Sequence, residues 1–268
     1  MQDLRKSFHQ QLDDIKADMV RLAAMVTETI PRATEIMLSA DLTAAQELIE
    51  GDDVLDVLSI DIEERCYQVL ALQQPMAGDL RAIVTAIRMT SEIERSGDLC
   101  VNIAKGTRRL YGSELSPKLR GLVSQMGEES CRLFKLAMDS YVEGDAAMAA
   151  ALDDLDDRLD GLHKDYIAEI FESVADRQIQ TGVQLALIGR YYERIGDHAV
   201  NIGERVRYMV TGWLPEHAAT LRTNATKVQT AGQEGVLPGP GVEPIEPVSP
   251  AATADGSGPA ATADGSGA

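Results

Sequence analysis

The amino-acid sequence predicts an all-α protein: two tandem, pseudo-symmetric three-helix bundles, six long helices in all, followed by a disordered C-terminal tail. Three observations carry that reading: a core composition poor in aromatics, apolar residues at helical spacing, and an internal repeat. Apolar residues make up 44% of the chain, ample for a core, but aromatics only 4%. Such a core is built from Leu, Ile, Val, Met and Ala, residues that pack between helices. No segment reads as a strand.

The elements follow in order. Leu4, Phe8, Leu12, Ile15, Met19, Leu22 and Val26 recur at three- and four-residue steps and form one continuous helical face. Pro31 falls inside this pattern, where it is expected to kink the helix. Asp41 caps a second helix, expected over about 43–72 without interruption. Gln73-Gln74-Pro75 breaks it, and a third helix reaches about Tyr111. A turn at 112–117 restarts the cycle. The fourth helix covers about 117–142, the fifth about 146–174 and the sixth about 178–211, ending at Gly212. Six long helices joined by short turns imply bundles. The expected division is 1–112 for the first, 113–217 for the second and 218–268 for the tail. That tail is rich in Pro, Gly and Ala, repeats PAATADGSG at 250–258 and 259–267, and offers no periodic face to bury.

The formal net charge is -18. A field of that sign repels nucleic-acid phosphates, and no basic stripe with interleaved aromatics offsets it, so nucleic acid is not an expected partner. Cys66, Cys100 and Cys131 are widely spaced with no Cys-x-x-Cys, which reads as buried reduced thiols. The N-terminal residues are charged from Asp3 and do not resemble a signal peptide. No apolar run reaches the roughly 18 residues a membrane span needs. The expected location is the cytoplasm, with any membrane association peripheral and made through partners.

The internal repeat is the strongest signal. Residues 94–105 read ERSGDLCVNIAK and 193–204 read ERIGDHAVNIGE, identical at seven of twelve positions. The preceding helices also match: Leu48, Asp52, Leu55, Asp56 and Leu58 correspond to Leu152, Asp156, Leu159, Asp160 and Leu162. In a helix, residues four apart lie on one side, about 6 Å apart along the axis. Glu94 and Asp98 form such a pair, continuing the stripe of Leu80, Ile83 and Ile87. Asp52 and Asp56 form another, beside Leu48 and Leu55. In the second repeat Asp156 and Asp160 lie beside Leu152 and Leu159, and Glu193 and Asp197 follow Ile179, Val183 and Ala186. Each repeat therefore directs two acidic pairs towards a shared seam. Burying clustered carboxylates without a counter-charge costs several kcal/mol. Arg95 and Arg194 directly follow Glu94 and Glu193 and point about 100° away, so a metal ion is the better counter-charge. All-oxygen donors suit Mg²⁺, Mn²⁺ or iron, whereas Zn²⁺ favours His or Cys.

The sequence ERSGDLCVNI at 94–103, its second copy at 193–202, and LQQPMAGDLR at 72–81 resemble the PhoU family, regulators of phosphate-specific transport systems. The resemblance covers about residues 1–214. It implies a pair of three-helix bundles whose E(D)-x-x-x-D motifs bind multinuclear metal clusters, iron above all, with Mg or Mn as alternatives. Those motifs match Asp52, Asp56, Glu94 and Asp98 in the first repeat and Asp156, Asp160, Glu193 and Asp197 in the second. The resemblance further implies negative regulation of phosphate uptake and of the phosphate-starvation response. Its expected partners are the ATPase subunit of a phosphate ABC transporter and a sensor histidine kinase. It also implies a cytoplasmic homodimer that acts by contact rather than turnover.

Two other readings compete. Ferritin-like di-metal enzymes use Glu-x-x-His motifs, and none of His9, His163, His198 or His217 follows a Glu by three positions. His198 stands where the first repeat has Leu99 and His163 where it has Ser59, so either is an extra ligand of the second seam or a structural histidine. A purely structural helical scaffold accounts for the helices but leaves the repeated inward acids unexplained. No phosphate loop, nucleophile elbow or Cys/His pair is present, so no enzyme activity is expected.

Overall fold

The computed structural model describes residues 2–173 and 178–213. The tail expected from residue 218 lies outside the described residues, as do 174–177 between the last two helices. The described helices are α1 (Gln2–Ser39), α2 (Leu42–Glu50), α3 (Asp53–Gln73), α4 (Gly78–Arg109), α5 (Pro117–Glu143), α6 (Ala146–Ser173) and α7 (Ile179–Thr211). No strand occurs among the described residues.

One expectation needs correction. The second helix is not continuous over 43–72 but breaks at Gly51-Asp52 into α2 and α3. Asp41 caps α2, its carboxylate accepting the N–H groups of Thr43 and Ala44 at 2.9 and 3.0 Å. Gly51 closes α2, and the Asp52 carbonyl accepts the N–H groups of Leu55 and Asp56 to start α3. A helical Gly is about 1 kcal/mol worse than Ala, which marks this point as the weakest in the rod. The matching position in the unbroken α6 is Leu155.

Pro31 lies inside α1, which runs through it. Having no N–H, it leaves the Thr27 carbonyl without its helical donor. The Cys131 thiol on α5 points at that carbonyl, Sγ to O 3.7 Å. Burial pushes the Cys131 pKa up, which keeps the thiol protonated and able to donate. All three cysteines are free thiols; Cys66 and Cys100 are buried as expected, whereas Cys131 is only half-buried.

The remaining helix ends are set locally. Ser116 caps α5 with Pro117 in its first turn, and Gly144, at φ +65°, ends it. The Asp145 side chain accepts the N–H groups of Ala147 and Met148 at 2.8 and 3.0 Å and starts α6. Gly212, at φ +77°, ends α7.

Helices α1, α3 and α4 pack on one another, and so do α5, α6 and α7. The two groups also share a core, because α4 lies against α7 and α1 against α5. The inner helices α1, α4, α5 and α7 thus enclose Met19, Val26, Ile30, Met89, Ile103, Phe134, Ile188 and Tyr192, all fully buried. Each such side chain contributes roughly 1.5–3 kcal/mol through burial. Helices α2, α3 and α6 flank this centre. Polar bridges cross between the repeats: Thr34 Oγ1 to the Tyr192 hydroxyl at 2.9 Å, and Arg81 Nε to the Met209 carbonyl at 3.1 Å.

The acidic seams and their family

The seam between α3 and α4 carries the first four acids. Asp52, Asp56 and Glu94 are half-buried, whereas Asp98 is exposed. Gly97 allows the close approach that forms the seam: a Cβ there would lie 3.0 Å from Leu55 Cδ1. Burial is the main cause that raises Asp52 to about 6, helped by repulsion from Asp56 and Asp98 and opposed by Lys105. Glu94 is also raised, by burial first and then by Asp98 and Asp56, while Arg95 opposes. The four carboxylates therefore share one electrostatic neighbourhood, as their spacing predicts. A cavity of about 90 Å³ opens beside Asp52 and is also lined by Thr29, Arg32, Glu47 and Gly97.

The seam between α6 and α7 repeats the arrangement. At Gly196 an added Cβ would stand 2.4 Å from Asp156 Oδ1 and 2.6 Å from Leu159 Cδ2, so glycine lets Asp156 lie against the α7 backbone. Asp156 Oδ1 is buried without a hydrogen-bond partner. Burial raises Asp156 to about 6, followed by repulsion from Asp160 and Asp197. Glu193 is paired with Arg190, whose other nitrogen lies 3.7 Å from Asp197 Oδ2.

Sequence reasoning weighed Arg95 and Arg194 as counter-charges and missed Arg190. Its signal was present, since Arg190 precedes Glu193 by three residues, a distance at which helical side chains meet. His163 borders the second seam. Its ring packs against Gly189 and its Nε2 is buried without a partner. Burial, then repulsion from Arg190, lowers the His163 pKa, with Asp160 opposing. His198 instead turns away from the acids towards α4, its Nδ1 2.5 Å from Glu92 Oε2, which Asn201 also reaches at 3.2 Å. Burial alone would raise the Glu92 carboxyl, but these hydrogen bonds outweigh it and hold it below its ordinary value. This pair joins the two repeats, and nothing in the spacing of either helix announced it.

The stripes leading into the seams are buried only in part. Ile83 is buried, but Leu80, Ile179 and Val183 are exposed. Among the described residues no three His, Cys, Asp or Glu side chains converge as a ready-made metal-ligand set.

Fold and seams together define a duplicated three-helix protein with an acidic seam in each copy. The PhoU domain family matches residues 19–107 and 123–206, one match per repeat, and the chain belongs to that family. It is 35% identical to phosphate-specific transport system accessory protein PhoU homolog 1 of Mycobacterium tuberculosis, over 79% of this chain and 96% of that protein. It is 30% identical to the Clostridium acetobutylicum PhoU homolog, over 78% and 96%. Among solved structures, PhoU from Pseudomonas aeruginosa superposes with a TM-score of 0.73 at 29% identity, covering 77% of this chain and all of that one. The phosphate transport system regulatory protein PhoU from Streptococcus pneumoniae gives 0.71 at 28% identity, covering 77% and 98%.

Proposed function

We propose that this chain is a cytoplasmic accessory regulator of phosphate-specific transport, restraining phosphate uptake and the phosphate-starvation response by protein contact. The observation that carries this reading is the family match across both repeats, each with its acidic seam in register. The proposed partners are the ATPase subunit of a phosphate ABC transporter and a phosphate sensor histidine kinase. The proposed working form is a homodimer, and the chain performs no turnover of its own. Among the described residues no helix is long and apolar enough to cross a membrane, which is compatible with action through such partners.

The seams suit multinuclear metal centres, iron above all, with Mn or Mg as alternatives. Asp52, Asp56, Glu94 and Asp98 would hold one, and Asp156, Asp160, Glu193 and Asp197 the other. Three observations support the fit: all eight donors are carboxylates, Asp156 Oδ1 is buried and partnerless, and Asp52 and Asp156 are both raised to about 6. A bound cation would add positive charge to that of Lys105 in the first seam and Arg190 in the second. The protein's own part is to hold the acids on adjoining helices, with Gly97 and Gly196 setting how closely those helices approach.

The test has two readouts. Metal content per chain, by mass spectrometry of native protein, should show several ions that fall when Glu94 and Asp98, or Glu193 and Asp197, become amides. Titration of the purified chain with the ATPase subunit and with the cytoplasmic part of the kinase should show saturable binding. A metal-free chain whose melting temperature ignores added Fe²⁺, Mn²⁺ and Mg²⁺ would remove the metal from this reading. A chain that binds neither protein would remove the contact.

A further inference from the structure

The outer face of α3 is apolar where a solvated helix face is expected. Val54, Val57, Ile60, Tyr67 and, at the helix end, Leu72 are each more than half exposed, and Met76 follows in the α3–α4 turn. The matching positions of α6 are different: Arg158 for Val54, Gly161 for Val57 and Lys164 for Ile60. The repeats therefore agree at the seam and diverge on the outside. Along α3 one line of side chains reads Asp53, Val57, Ile60, Glu64, Tyr67, at steps of four and three. That is the spacing with which a helix presents a seam to another helix. The line spans about 21 Å, four turns of helix.

Charge identifies what covers it. Helix α3 carries five acids and a single base, Arg65, and that base is bound to Asp18 of α1 at 2.6 Å. A second copy pairing α3 with α3 would bring Asp53, Asp61 and Glu64 against their own kind in a chain of net charge -18. The segment after residue 217 is itself acidic on balance, so it does not supply the complement. An anionic lipid surface is repelled for the same reason. The turn adds an independent sign. Gln74 and Ala77 hold φ of 46° and 49°, conformations that a Cβ disfavours, and between them they present Met76 outward.

We propose that the outer face of α3, continued by the turn at 74–77, is the docking surface for a basic amphipathic helix of a partner protein. Apolar side chains of that helix pack on Val57, Ile60 and Tyr67, and its Lys or Arg residues meet Asp53, Asp61 and Glu64. The assignment rests on the protein-contact reading above and supplies the surface through which contact is made.

The test uses the full chain and, as probe, a synthetic helical peptide of about 18 residues with Leu at i, i+3 and i+4 spacing and Lys on its flanks. Hydrogen exchange should show protection concentrated in 53–76. Val57→Ser with Ile60→Ser should weaken binding by about tenfold or more while leaving every acid in place. These residues are exposed, so the melting temperature should stay unchanged, and Tyr67→Ser provides a second variant. Arg158→Ser with Lys164→Ser, on the matching face of α6, should bind like the parent. Protection elsewhere, affinity indifferent to the α3 changes, α3-dependent self-association without the peptide, or α3-dependent binding to phosphatidylglycerol vesicles would each overturn the assignment. Repeating the α3 variants against the ATPase subunit and kinase separates the two claims. Undiminished binding sinks the surface and leaves the contact. Peptide docking on α3 without binding of either protein leaves the surface and sinks those partners.

Discussion

The two seams carry the same acids at matching positions but balance them differently. In the first, Gly51 interrupts the rod, so Asp53 and Asp56 lie in the first turn of α3 with Asp52 at its cap. A helix N-terminus carries roughly half a positive charge, which favours anions there. In the second, Leu155 keeps α6 unbroken and Asp156 sits mid-helix, far from that field. The cation of the second seam lies on α7 itself: Arg190 pairs with Glu193 and approaches Asp197, where the first repeat has Ser91. Duplication thus kept the positions of the acids, while the local counter-charge diverged. The lesson is that matching residues need not give matching sites, because a neighbouring glycine or arginine changes the electrostatic setting.

The glycines at the two seams offer the largest way to break the comparison. Gly196→Ala should cost about 1–3 kcal/mol, since its Cβ displaces both Asp156 and Leu159. Gly97→Ala meets Leu55 Cδ1 at 3.0 Å and Val26 only at ordinary contact distance, and it gains helix propensity, so it should stay within about 1 kcal/mol of the parent. Urea unfolding of the two variants measures the difference, and equal costs would deny the tighter second seam.

Arg190→Gln should come next, at about 1 kcal/mol, because Arg190 is itself half exposed and screened although Glu193 is mostly buried. The loss should shrink between low and high salt, because added ions screen a half-exposed pair. A variant as stable as the parent across that range would show that Arg190 is not the counter-charge.

A smaller effect follows from the raised acids. Asp52 and Asp156 each rise from 3.8 to about 6 in the fold, so their ionisation opposes folding. The penalty is complete above about pH 6 and is relieved as pH falls towards 3.8. Chelator-treated protein should therefore gain stability on acidification from pH 7 to 5, by a fraction of the full linkage because both groups are half exposed. Asp52→Asn and Asp156→Asn should raise stability at pH 7 and flatten the profile. Added divalent cation should reverse its slope, and a flat profile in the chelated parent would contradict the shifts.

The smallest change sharpens the comparison from the other side. Ser91→Arg places in the first seam the cation that the second already has, and should stabilise it by a few tenths of a kcal/mol in low salt. Thermal melts at two salt concentrations would register it, and a salt-independent change would point to another cause.

The seams were legible in the sequence because helical geometry is periodic: an acid four residues from another, beside a row of Leu and Ile, has its direction fixed by the helix alone. Helix ends at Asp41, Ser116, Gly144 and Gly212 were legible for the same local reason, each resting on a side-chain cap or a left-handed glycine. The break at Gly51 was not, since one glycine in a helical pattern is tolerated as often as it ends one. Local spacing also stopped short of the contacts between distant helices. His198 turning to Glu92, Thr34 meeting Tyr192, and the Cys131 thiol reaching the carbonyl that Pro31 leaves bare each join residues about a hundred or more positions apart. The sequence by itself determined the helices apart from the break at Gly51, the duplication and the alignment of the acids along each seam, because those depend on neighbours three and four residues away. Only the tertiary structure decided which cation faces which acid and which outer face stays bare, because those depend on how helices from the two repeats pack.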